Sequence, residues 1–144
     1  NLFGGELLAR MDRAASIAAQ RHSRNICVTA SVNHVAFTKA IPLGSVVTVE
    51  AKVSRSFNSS MEIFIDVWIE DRSSGNKTKT MEAIYTFVAV DATGKPVEVP
   101  PIIPQTELEQ QRYDAALRRK QLSLVLAGKM NPSDATELKA LFTA

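Results

Sequence analysis

The sequence has little that would staple it covalently or carry it through a membrane. One cysteine, Cys27, stands among 144 residues. That excludes an internal disulfide framework and fits a reducing compartment. No apolar run approaches the roughly 18 residues that a membrane-crossing helix needs. No signal peptide is legible, so a cytoplasmic location is expected. Charge of either sign is scarce in net terms: the formal balance is +2, too slight a surplus to argue for nucleic acid. The two histidines, His22 and His34, lack metal-ligand spacing. There is no Walker motif, no dinucleotide fingerprint, no internal repeat and no low-complexity stretch. What is left is 45% hydrophobic and 22% charged, the composition of an ordinary globular domain long enough for one core.

Two periodicities follow one another along the chain. Residues 5–22, "GELLARMDRAASIAAQRH", predict a helix. At about 100° per residue, Leu7, Leu8, Met11, Ala14, Ala15, Ala18 and Ala19 share one arc. The alanines on that arc let another backbone approach closely, which predicts a helix seated on a sheet. From residue 26 the period becomes two. "ICVTASVNHVAF", "VVTVEAKVSRSF", "SMEIFIDVWIEDR" and "TMEAIYTFVAV" read as strands. Pro42 and Gly44, the "FNSS" segment and the "SSGNK" turn separate them. Met61, Ile63, Ile65 and Val67 alternate with Glu62, Phe64, Asp66 and Trp68.

Pro100, Pro101 and Pro104 interrupt regular structure. They predict a boundary between a sheet domain, 1–104, and a helical extension, 105–144. Thr106 and Glu109 form a capping-box pattern for a charged helix, and Gly128 ends it. A last short helix follows, with Ser133 as its candidate cap. Long strands with one apolar and one mixed face, covered by one helix, predict an α+β fold whose edges pair with another copy.

The segments "NLFGG", "LLARMD", "VTASVNHVAF", "PLGSVVTVEAKV", "SSMEIFIDVWIED" and "YTFVAVDATGKPVEVP" occur in this order. Together, over residues 1–113, they resemble the hot-dog-fold acyl-CoA thioesterases of the YciA type and the cytosolic long-chain acyl-CoA hydrolases. The resemblance implies a long helix wrapped by an antiparallel sheet. It implies dimers, assembled as trimers of dimers. It also implies hydrolysis of acyl-CoA to free acid and CoA without metal or cofactor, CoA being part of the substrate. A non-catalytic acyl-CoA-binding protein and a hydratase or dehydratase are the alternative readings. The hydratase chemistry usually uses a histidine, and none adjoins the glycine-led helix.

Three positions carry the expected chemistry. Gly4, with Gly5 behind it, opens the helix, where free backbone N–H groups and the helix dipole can stabilise an oxyanion; the family's oxyanion donor matches Gly4. The same glycines also suit a plain loop-to-helix turn. Asp12 lies on the rim of the apolar arc, where partial desolvation strengthens a base. It matches the family's catalytic acid, as base or nucleophile, although a helical Asp beside Arg13 also suits a surface pair. Asn1 matches the family's active-site asparagine. Ser59 and Ser60 match a segment beside the pantetheine arm, and Arg55 is a candidate for a CoA phosphate. Arg118 and Arg119, with Arg112 and Lys120, are candidates for the 3′-phosphate or diphosphate, or a solvated helix face. Cys27 reads as a small buried hydrophobe.

Gly4 and Asp12 are eight residues apart, about 12 Å along a helix axis. One thioester carbon cannot touch both in the same helix. Composite sites, each taking Gly4 from one protomer and Asp12 from its partner, are therefore expected.

Overall fold

A computed structural model describes residues 4–37 and 39–142, without the side chains of Gly4, His34 and Phe37. Two compact units divide between Pro101 and Ile102. The first contains helix α1 (Gly4–Ser23) and strands β1 (Ile26–Phe37), β2 (Val46–Ser56), β3 (Ser60–Glu70) and β4 (Lys77–Val90). The strands form one antiparallel sheet in the order β1-β4-β3-β2.

Helix α1 lies on this sheet by its apolar arc. Leu7, Met11, Ala15 and Ala19, one turn apart, are buried against Met61, Ile63, Ile65 and Val67 of β3 and Met81, Ala83, Tyr85 and Phe87 of β4. Ala15 and Ala19 have no exposed surface. Their missing side-chain volume is what seats the helix so low. The helix ends at Arg24, which takes a left-handed backbone (φ 59°) and donates its N–H to the Gln20 carbonyl at 2.7 Å.

The opposite face of β3 departs from its alternating pattern. Glu62, Phe64 and Asp66 are buried as well. Ser54 Oγ donates to the Glu62 carboxylate, and Lys79 Nζ reaches Asp66 at 2.7 Å and Glu82. Burial alone would depress the Lys79 ammonium; the two carboxylates outweigh it and hold the group above its usual range. Strand β1 also differs from simple alternation. A bulge between Thr29 and Ser31 resets its register, so Val32 faces the opposite way from Ile26 and Val28.

The second unit holds α2 (Glu107–Leu126) and α3 (Thr136–Lys139). Thr106 caps α2 by accepting from the Glu109 N–H at 3.1 Å. Ser133 does not cap the last helix. Asn131 caps the short turn Pro132–Asp134 instead. Gln121 Oε1, from α2, accepts the N–H groups of Glu137 and Leu138 at 2.9 and 3.0 Å.

Two predictions follow from this packing. Ala15→Leu should destabilise the first unit by about 1–3 kcal/mol in denaturant unfolding, because the helix must rise from the sheet; an unchanged midpoint contradicts the close seat. In the turn after β3, Asp71 accepts from the Ser73 hydroxyl at 2.6 Å and from the N–H groups of Ser73 and Ser74 at 2.7 and 3.0 Å. These bonds, the hydroxyl's first, hold its carboxyl down to about 2. A depressed carboxyl stabilises the turn above its unfolded value, about 3.9, and that contribution is lost as pH falls through about 2. Carboxyl NMR should find Asp71 titrating near 2, and Ser73→Ala should move it up; an ordinary value in the parent chain would refute the turn geometry.

Candidate active site

The expected site residues described in the first unit form two groups. Gly4 opens α1, and the N–H groups of that first turn have no helical acceptor. Gly5 is exposed beside it. Two turns on, Asp12 is half-buried at the rim of the helix–sheet interface. Its carboxylate accepts a hydrogen bond from Thr29 Oγ1 on β1 at 3.0 Å. Beneath them, Tyr85 on β4 is buried and directs its hydroxyl at the Leu8 carbonyl, 3.4 Å away. Burial pushes the phenol's ionisation up, and the negative charge of Asp12 adds to the push. Asp12 therefore has one oxygen oriented by the Thr29 hydroxyl, and its charge is felt at the Tyr85 phenol.

Thr29 escaped the sequence reading. It stands in a strand read for its valines, and its hydroxyl is addressed to a residue 17 positions away. The available signal was a hydroxyl on the helix-facing side of β1, next to Cys27, which is buried.

The second group surrounds the β2–β3 turn. Ser59 is half-buried and Ser60 buried. The Ser59 carbonyl accepts from Ala89 N at 2.9 Å, and that of Ser60 from Phe57 N at 2.8 Å. The Arg55 guanidinium lies 5.9 Å from the centre of the Phe57 ring. The sheet register links the two groups. Thr29 pairs with Phe87, Phe87 with Met61, and Met61 with Ser56. One row across the sheet thus runs from the Asp12–Thr29 pair to the turn. Thr29 and the start of β3 are two strand spacings apart, about 10 Å. Arg118 and Arg119 lie half-buried on α2 of the second unit. Asn1 lies outside the described residues, as does the His34 side chain. The carboxylate, the hydroxyl and the helix terminus offer a base, its orienting donor and N–H groups for an oxyanion. Among the described residues, no three His, Cys, Asp or Glu side chains gather as a metal ion requires, and no helix is long and apolar enough to cross a membrane.

An antiparallel sheet wrapped on one long helix, with an acid on that helix at the rim, defines a hot-dog domain of the thioesterase kind. Residues 1–75 match the Thioesterase superfamily. The chain is 42% identical to the uncharacterized acyl-CoA thioester hydrolase YkhA of Bacillus subtilis, over 82% of this chain and 69% of that one. It spans only about a fifth of the longer mouse thioesterases that it also matches. The fold superposes on a hexameric acyl-CoA thioesterase with a TM-score of 0.83 at 36% identity, covering 88% of this chain and 81% of that one. It superposes equally on the Staphylococcus aureus acyl-CoA hydrolase, solved with butyryl-CoA and CoA: TM-score 0.81, 34% identity, 89% and 80% coverage. The chain belongs to the Thioesterase superfamily.

The Staphylococcus aureus hydrolase has also been solved with alanine replacing an asparagine, an aspartate or a threonine. Its aspartate and threonine are 17 positions apart, the separation of Asp12 and Thr29. Its asparagine precedes the aspartate by 15 positions, whereas Asn1 precedes Asp12 by 11.

Proposed function

We propose that the chain hydrolyses the thioester of acyl-CoA to a free acid and CoA, with Asp12 as the reacting acid and Thr29 as its positioning residue. The observation that supports this most is the Asp12–Thr29 hydrogen bond at 3.0 Å. It joins the two residue types, at the same separation, that were replaced in the Staphylococcus aureus hydrolase. The first-turn N–H of Gly4 receives the developing oxyanion, aided by the helix dipole. Thr29 ties down one Asp12 oxygen and leaves the other free toward the thioester carbon. That oxygen either takes a proton from the attacking water or itself attacks the carbon. The carbon–sulfur bond then breaks, and the CoA thiolate leaves and takes up a proton; on the second route a water then hydrolyses the acyl–Asp12 anhydride, releasing the acid and restoring the carboxylate. Ser59 and Ser60 hold the pantetheine arm, and Arg55 meets a CoA phosphate; a phosphate role for Arg118 and Arg119, in the second unit, is carried by the sequence expectation alone. Asn1 serves the same pocket in the expectation drawn from the resemblance; the proposal itself stands on Asp12 and Thr29.

Each site is composite. Gly4 and Asp12 of one helix are about 12 Å apart, so an antiparallel partner helix completes each half. Strand β1 supplies the surface for that partner. It pairs with β4 on one side and exposes Ile26 and Val28, which are 63% and 49% accessible. A long apolar edge of this kind is a template for continuing the sheet into a second copy. Three such dimers form the hexamer. The single unpaired cysteine supports a cytoplasmic setting.

Assaying acyl-CoA esters of graded chain length with a thiol reagent tests the reaction, since only hydrolysis releases CoA. Asp12→Asn should lose at least about 10²-fold in kcat, and Thr29→Val roughly tenfold. No CoA release from any ester, or an Asp12→Asn loss below about tenfold, would defeat the proposal. Solvent oxygen-18 in a single turnover separates the routes: direct water attack labels the acid at once, whereas an acyl-Asp12 intermediate first gives it an unlabelled protein oxygen.

A further inference from the structure

His22 closes α1, ten residues beyond Asp12. Its place in the last turn would suit a cation at a helix C-terminus. The structure gives it a specific bond: Nε2 lies 2.8 Å from the carbonyl oxygen of Pro100, across 78 residues of chain. A carbonyl only accepts, so Nε2 carries the proton. The same oxygen accepts from Ser56 Oγ at 2.7 Å. Two side chains from different elements thus converge on one carbonyl.

That carbonyl belongs to an extended strap laid along the sheet. Val97 N donates to Ala89 O at 2.9 Å, and Val99 N donates to Asn58 O at 2.8 Å. Val99 is buried. Asn58 precedes Ser59 and Ser60 in the β2–β3 turn, so the strap grips the turn directly. From β4, Ala89 N holds Ser59 O at 2.9 Å. His22 ties α1 to this assembly by a hydrogen bond. It joins the helix that carries Asp12 to the strap that holds the turn.

We infer that His22 is a positioning residue for substrate binding: through the Pro100 carbonyl it fixes the Ser59–Ser60 turn relative to the Asp12 helix. The inference rests on the reading of that turn as the pantetheine site. The bond holds the carrier arm and leaves the acid, its threonine partner and the helix N-terminus untouched. Its loss therefore acts on binding and not on the chemical step.

The test is a kinetic split in the full-length protein. His22→Ala should raise KM for a good acyl-CoA ester roughly 5- to 20-fold and weaken inhibition by free CoA in parallel. The kcat should stay within about twofold. His22→Gln, whose amide can donate to the same carbonyl, should recover most of the KM. Ser56→Ala, which removes the other donor to Pro100, should raise KM in the same direction and covers the case in which His22→Ala is poorly folded. An unchanged KM in both His22→Ala and Ser56→Ala overturns the inference. So does a fall in kcat at constant KM, or a failure of glutamine to rescue. Ser59→Ala and Ser60→Ala, measured alongside, report separately on the pantetheine reading: a flat KM in both defeats that reading, whatever the His22 variants do.

Discussion

The first unit depends on how closely α1 sits on the sheet. Alanines at positions 15 and 19 bring the helix backbone down onto β3 and β4, and Leu7 and Met11 fill the space ahead of them. Burying each of these larger side chains contributes about 1.5–3 kcal/mol. The height of the helix decides the chemistry as well. At this height, the residue next to Met11 falls at the rim, level with β1, where the Thr29 hydroxyl can reach it. A helix lifted by one larger side chain would part Asp12 from Thr29.

The same seating sets the limits of one chain. A rigid helix with free N–H groups at its start and an acid two turns on cannot bring both to one carbon. The distance is fixed by helical rise. In the composite site proposed above, two antiparallel copies of the helix would put each start against the other's acid. Among the described residues β1 pairs with β4 alone, and its exposed Ile26 and Val28 stand close in the strand to Thr29, which meets the acid. The register row from Thr29 through Phe87 and Met61 then carries the site across the sheet to the β2–β3 turn. The proposed acid and the turn proposed to hold the substrate arm are thereby joined through one sheet.

Much of this was legible in local pattern. The alanine-rich arc of α1, the four strands, the capping box at Thr106 and Glu109 and the glycine-led helix start all follow from nearest-neighbour physics. Asp12 stood out because a carboxylate at an apolar rim breaks the pattern. Contacts between distant residues were not legible. Thr29 looked like one more β-branched strand residue until the bulge and the helix placed it against Asp12. Glu62 and Asp66 read as the solvent side of an alternating strand, yet both are buried. Gln121 displaced Ser133 in ordering the last helix because its amide arrives from α2, 16 residues upstream. The bond of His22 was hidden in the same way, because Pro100 is 78 residues away in sequence.

The central claim is that each active site is built from two protomers, and mixed assembly tests it most directly. One chain carries Asp12→Asn. The other carries Gly4→Pro, which deletes the backbone N–H at a helix position where proline is well accepted. Each alone should be nearly inactive. In a mixed dimer, one site receives an intact Gly4 from one chain and an intact Asp12 from the other, while the second site receives neither. Random one-to-one reassembly should therefore restore roughly a quarter of the parent activity. Activity no higher than the mean of the two variants would contradict the composite site and return Gly4 and Asp12 to separate roles within one chain.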